Sequence, residues 1–118
     1  MFNEIVQKKD QSWIGVDLDR TLAFYDGYKG VGVIGEPIPL MVNRVKDFLK
    51  EGKKVKILTA RANSRSQYRN EEIAAIKSWC MKVFGQELDV TSEKDHNMCQ
   101  LYDDLVTKVI ANTGVIVS

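Results

Sequence analysis

Apolar residues in this chain come in short runs between polar, glycine-rich stretches, and the spacing inside each run assigns an element. Trp13-Ile14-Gly15-Val16 is a run of strand formers that ends abruptly in Asp17-Leu18-Asp19. It predicts a buried strand over 12–18 that opens into a polar site. Met41, Val42, Val45, Phe48 and Leu49 form a stripe at helical spacing, predicting a helix over 39–51. Pro37 and Pro39 suit its entry, and Gly52 suits its stop. Val55-Lys56-Ile57-Leu58-Thr59 predicts a second strand over 54–59. Ile73, Ile76, Trp79, Cys80, Val83 and Phe84 predict a second helix, capped by Asn70 with Glu71 and Glu72 in its first turn and ended by Gly85. Leu88-Asp89-Val90 reads as a third strand, Cys99 to Tyr102 as a fourth and Val109-Ile110 as a fifth, before an Asn112-Thr113-Gly114 turn.

Two stretches lack such periodicity. Residues 1–11 are polar and mixed and read as an arm, with room for a short strand at its end. Residues 22–36 carry Gly27, Gly30, Gly32 and Gly35, a spacing that calls for tight turns or a hairpin rather than a helix. Strands alternating with helices over short connections mean an α/β fold with a parallel sheet and right-handed crossovers.

Composition narrows the class. The 118 residues are the length of one domain, so 1–118 reads as a single unit. A hydrophobic share of 44% and a charged share of 28% suit one core with a solvated surface. A net charge of +1 excludes a strongly polybasic protein. No apolar run is long enough to span a membrane, and the N-terminus lacks the pattern of a signal peptide, so a cytoplasmic location is expected. Cys80 and Cys99 have no metal-like spacing and read as two reduced core thiols.

The chemistry is concentrated at strand ends. Asp17 and Asp19, with the Thr21 hydroxyl, follow strand one, where ligands of open α/β sheets bind. Two such acids can divide the work of attack or metal binding and of proton transfer, although a turn held by Asx hydrogen bonds would use the same residues. Thr59 ends strand two, Lys94 follows strand three, and Asp103-Asp104 end strand four.

In this order the motifs resemble those of the haloacid dehalogenase superfamily: hhhhDxDxT, hhhhT, a lone Lys and hhhhDD. The resemblance runs from about Trp13 to Gly114. It implies a three-layer Rossmann-like fold with a central parallel sheet in the order 5-4-1-2-3. It also implies a short hairpin flap over 22–36, whose Phe24, Tyr25 and Tyr28 either cover the site or merely pack the flap. Asp17 matches the family's nucleophile, which forms an aspartyl-phosphate, and Asp19 its general acid/base. Thr59 and the Ala60 amide would hold phosphate oxygens, and Lys94 would offset charge, with Lys82 as a rival inside the second helix. Asp17, the Asp19 main-chain carbonyl and Asp103, joined by Asp104 directly or through water, would hold a magnesium ion, which hard oxygen donors suit. As an alternative, Asp104 would serve only as an acidic cap. The expected activity is magnesium-dependent hydrolysis of a phosphomonoester.

This sequence departs from the commonest family pattern at Arg20, where many members have Gly. Arg20 must take a negative φ, or its side chain must gain something. Neither insertion point of the family has room for a cap domain, so the site is expected to be open. It would suit a phosphorylated small molecule, such as a nucleotide or sugar phosphate, a nucleic-acid end, or a substrate enclosed by a neighbouring subunit of a homo-oligomer. Arg61, Arg65 and Arg69 would share one face if their stretch is helical and could grip a second phosphate, or they form a solvated charged face. His96 reads as a solvated loop residue. Two other classes stay open: a catalytically silent binding module on the same fold, and a receiver-type signalling domain. A receiver places its adjacent acids before the phosphorylated Asp, whereas here the D-x-D comes first and the pair last.

Overall fold

Ile14 and Val16 on one strand and Val55 and Ile57 on the next alternate onto the same face, and all are buried. In the computed structural model, which describes residues 11–118, they anchor one hydrophobic cluster. Strands β1 (Trp13–Val16), β2 (Val55–Leu58), β3 (Asp89–Thr91) and β4 (Met98–Tyr102) form an all-parallel sheet in the order β3-β2-β1-β4. Strand β1 therefore lies inside the sheet, as expected. With helices α1 (Pro39–Lys50) and α2 (Arg69–Phe84), this is a Rossmann-like three-layer α/β fold. Of the expected arm over 1–11, with any strand there, residues 1–10 lie outside the described residues.

The helices follow their stripes. Met41, Val42 and Val45 of α1 and Ile76 and Cys80 of α2 close the core over the first face of the sheet. Pro39 occupies the first turn of α1, and Gly52 and Gly85 stop the helices at φ 77. Asn70 does not cap α2. The cap position falls on Tyr68, and Asn70 lies inside the first turn.

The second face has a thinner cover. The β3–β4 connection, residues 92–97, contains no helix. At ~3.3–3.6 Å per residue it reaches roughly 20 Å, enough to cross the face only when nearly extended. The Trp13 indole lies on this face beside Gly15, Met98 and Leu101, with the Lys56 ammonium 4.5 Å from a ring centroid. Its Nε1–H donates to Asp95 Oδ1 at 2.8 Å, which tethers the crossing segment and holds the Asp95 carboxyl below its ordinary pKa.

Two expectations are corrected. Val109 does not add a fifth strand to the sheet. It pairs antiparallel with Ile116, and Ile110 N–H donates to the Val115 carbonyl at 2.8 Å. Asn112 and Gly114 both have positive φ and fold the chain back locally, which costs less closure entropy than a return to the β4 edge. Cys99 lies on β4 but is exposed, so only Cys80 is a core thiol; burial pushes the Cys80 thiol up to about 11.

The glycine-rich stretch is a loop of turns closed at its base rather than a regular hairpin. Phe24 N–H donates to the Glu36 carbonyl and Ile38 N–H to that of Leu22, each at 2.8 Å. At Gly35 a Cβ would collide with the Phe24 carbonyl, and the Gly35 carbonyl accepts from Trp79 Nε1 at 3.1 Å. Gly35→Ala is therefore expected to cost about 2–3 kcal/mol of stability. Urea denaturation measures it, and a loss under 0.5 kcal/mol, the noise level of surface changes, would disprove the close approach.

Candidate functional site

All four strands deliver a polar residue at or just past their carboxyl ends. Asp17 follows β1, Thr59 follows β2, Ser92 follows β3 and Asp103 follows β4. They line an open cavity of about 580 Å³, joined through Asp17, Thr59, Ala60 and Leu105 to a second of about 230 Å³. Open parallel sheets bind ligands in this crevice, because backbone ends and loops converge there.

Asp17, Asp103 and Asp104 each offer a carboxylate oxygen, and the three atoms lie within 4.8 Å of one another. The Thr21 hydroxyl faces two of them, at 3.4 Å from Asp17 Oδ2 and 3.2 Å from Asp104 Oδ1. It carries one proton and can donate to only one at a time. The cluster is therefore short of positive charge. Burial, then the Asp103 and Asp104 carboxylates, push the Asp17 carboxyl from 3.8 up to about 7. Carboxylates alone, with no His or Cys donor in the set, suit a hard divalent cation such as magnesium.

Arg20 adopts φ 76, a left-handed conformation that costs a non-glycine residue about 1–2 kcal/mol. The expected negative φ is thus corrected, and the alternative, a gain for the side chain, is what is found. Its guanidinium reaches Asp104 Oδ2 at 3.9 Å and stands over the Tyr25 ring at 5.9 Å.

Asp19 is turned away from the triad. Both its oxygens accept from Arg61, Oδ2 from Nε at 2.9 Å and Oδ1 from Nη2 at 3.0 Å. Its side chain is thus outside the carboxylate cluster, leaving the main-chain carbonyl as its only candidate ligand to a metal. Arg61 is itself buried and shares its third donor, Nη1, with Glu72 Oε1 at 3.1 Å. Burial pulls the Arg61 pKa down, but Asp19 and Glu72 outweigh it and the net shift is upward. Arg61, expected to hold substrate, lines the smaller cavity and is held as a strut between two acids.

Other expected residues divide as follows. Thr59 is buried at the junction of both cavities, its hydroxyl accepting from Arg61 N at 3.2 Å and still able to donate. The Ala60 amide makes no hydrogen bond among the described residues, and Ala60 lines the same space. Lys94 is exposed and lines neither cavity, although Ser92 and Glu93 before it do. The cause is the short crossing segment: by Asp95 the chain is already tied to Trp13 at the start of β1. Lys82 is exposed at the end of α2. The Arg61/Arg65/Arg69 face does not form, because helix is interrupted between residues 62 and 69; Arg69 Nε donates to the Ala62 carbonyl. Tyr25 lines the smaller cavity, Tyr28 packs on Arg61 at 5.6 Å, and Phe24 points to solvent.

Glu72 lies in the first turn of α2 as expected, but its burial and its partners were not foreseen. It is 4% exposed and accepts from Gly32 N at 2.8 Å, Tyr28 Oη at 3.1 Å and Arg61. The signal was present: Glu72, Ile76 and Cys80 recur at four-residue steps, so an acid stands on the core stripe. Asn63, Ser64, Ser92 and Glu93 were also overlooked as cavity residues.

One solved structure, described as that of a conserved protein coded by a locus from Bacteroides thetaiotaomicron, is similar with a TM-score of 0.52 and 21% identity over 79% of this chain and 75% of that one. At that identity the likeness speaks for the fold alone. No protein-family model matches the chain, and no curated protein does. No helix among the described residues is long and apolar enough to cross a membrane.

Two outcomes follow from this geometry. Arg61→Ala leaves Asp19 and Glu72 without their partner and is expected to cost about 3–5 kcal/mol, as removal of one member of a buried ion pair does. A loss below 1 kcal/mol in urea unfolding would show that the strut carries little. The second concerns pH. The folded protein holds the Asp17 proton more tightly than the unfolded chain does, so stability falls as pH rises from about 4 to about 7 and levels off above. In chelator, Asp17→Asn is expected to match the parent near pH 4 and exceed it by about 2 kcal/mol at pH 8, a figure discounted for solvent screening. A constant difference across that range would contradict the shifted carboxyl.

Proposed function

We propose that this protein is a divalent-cation-dependent phosphomonoester hydrolase of the haloacid dehalogenase type, with Asp17 as the nucleophile. The observation that carries this reading is the Asp17/Asp103/Asp104 cluster beside the unpartnered Ala60 amide and the Thr59 hydroxyl. Negative donors for a cation and neutral donors for an oxyanion stand on adjacent strand ends, the pairing that phosphoryl transfer requires.

Asp17, Asp103 and Asp104, with the Asp19 carbonyl, would hold magnesium, whose bound charge offsets repulsion between carboxylate and phosphate. An Asp17 oxygen attacks phosphorus, and the bond from phosphorus to the leaving oxygen breaks. Asp19 gives that oxygen a proton. Water then attacks phosphorus, Asp19 takes its proton, and the bond to Asp17 breaks to release phosphate. Arg61 need not let go for this. Arg61 takes one acceptor position on each Asp19 oxygen; the protonated carboxyl of the first step keeps an O–H to donate beside them, and the carboxylate left behind has about four positions, two of them open to take the proton of water. The strut then fixes the carboxylate's aim while leaving lone pairs free. With Lys94 outside the cavities, the offset of phosphate charge falls on the cation and the neutral donors.

The test separates the two acids. Asp17→Asn is expected to abolish turnover of an aryl phosphate in magnesium. Asp19→Asn is expected to release a burst of aryl alcohol and then stall, with phosphate trapped on Asp17 after acid quench. An alkyl phosphate, whose leaving oxygen needs the proton, is expected to be cleaved slowly without a burst. Wild-type rates for Asp17→Asn, or full activity in excess chelator, would overturn the proposal, and absence of turnover by the parent protein would favour a silent binding module.

A further inference from the structure

We infer that the group carried by the phosphate is uncharged and polyhydroxylated, a sugar or polyol, and that Asn63, Ser64, Ser92 and Glu93 bind it. This rests on the phosphatase reading. All four line the larger cavity together with Asp17 and Asp103, so a molecule whose phosphate meets Asp17 extends along them. The volume lies within the ~300–1,000 Å³ usual for small-molecule sites.

The wall is built to exchange hydrogen bonds with hydroxyls. Asn63 Oδ1 is taken by Arg65 N at 2.8 Å, which leaves its amide N–H donors. The Ser64 and Ser92 hydroxyls have no partner among the described residues and can both donate and accept. Glu93 has its main chain fixed on the Thr91 hydroxyl, by N–H donation at 3.0 Å and by its carbonyl accepting at 3.3 Å. Its carboxylate makes no ion pair or hydrogen bond among the described residues and is an acceptor for neighbouring hydroxyls of a polyol.

The larger cavity lacks what the other candidate substrates need. A second phosphate calls for a cation, and among the described residues none lines this cavity, Arg20 standing on the smaller one. Arg61 is held by Asp19 and Glu72, Arg69 by the Ala62 carbonyl, and Lys94 lies on the exposed crossing segment. Glu93 beside Asp17 and Asp103 would repel further negative charge. A nucleobase calls for a stacking face, and among the described residues no aromatic side chain lines this cavity, Tyr25 standing on the smaller one.

The experiment compares kcat/KM, in magnesium, for an aryl phosphate, a hexose monophosphate, a nucleoside monophosphate, a nucleoside diphosphate and an amino-alcohol phosphate. The hexose ester is expected to exceed both nucleotides at least tenfold. In Glu93→Gln the ratio of hexose to aryl ester is expected to fall roughly tenfold, mainly through KM, as loss of a charged hydrogen bond does. Ser92→Ala is expected to lower the same ratio less. Nucleotides or the amino-alcohol ester as the better substrates would overturn the inference. So would an unchanged ratio in both variants, with circular dichroism showing them folded. Turnover of the aryl ester with no preference among the others overturns this inference and leaves the phosphatase reading intact. No turnover of any ester overturns that reading, and this one with it.

Discussion

A single guanidinium ties together the parts that surround the cavity. Arg61 follows β2, Asp19 follows β1, Glu72 belongs to α2, and Tyr28 and Gly32 belong to the glycine-rich loop. Three of these stretches have no regular partner of their own. Their positions depend on one buried charge that must be neutralised from two sides. The same need fixes Asp19, so the geometry of the site and the anchoring of the loop share one electrostatic cause.

The neighbouring triad has the opposite character. Arg61 and its acids are mutually satisfied, whereas Asp17, Asp103 and Asp104 face one another with one cationic contact among the described residues, the weak one from Arg20, beside neutral donors such as the Thr21 hydroxyl and the Leu105 N–H on Asp103. A protein that compensates one acid fully and leaves another cluster short of charge has divided structural from chemical duty. The strained backbone at Arg20 belongs to the second group, since its side chain is turned toward Asp104 and Tyr25.

The sheet was legible because burial writes periodicity into sequence: Ile14, Val16, Val55 and Ile57 could face only a core. The acids at strand ends were legible for the same reason, each standing where an apolar run stops. What escaped was set by long-range partners. Glu72 looks like an acid placed for a helix dipole until Gly32, Tyr28 and Arg61 are seen around it. Lys94 sits in the expected order along the chain, but the six-residue crossing carries it away from the rim, and no local pattern marks that path. Val109 has strand propensity, but the nearby Asn112-Thr113-Gly114 turn supplied a closer partner than the sheet.

The placement of β1 has a consequence for how the molecule comes into being. Its two neighbours arrive at different times: β2 after one helix, β4 only after a second helix and β3 have followed. A nascent chain emerging from the ribosome at ~5–20 residues per second would hold β1 with one edge bare for several seconds. Throughout that interval Asp17 has neither Asp103 nor Asp104 beside it. The acidic cluster is thus an outcome of the last pairing event, and a premature cation has nothing to bind until the sheet closes.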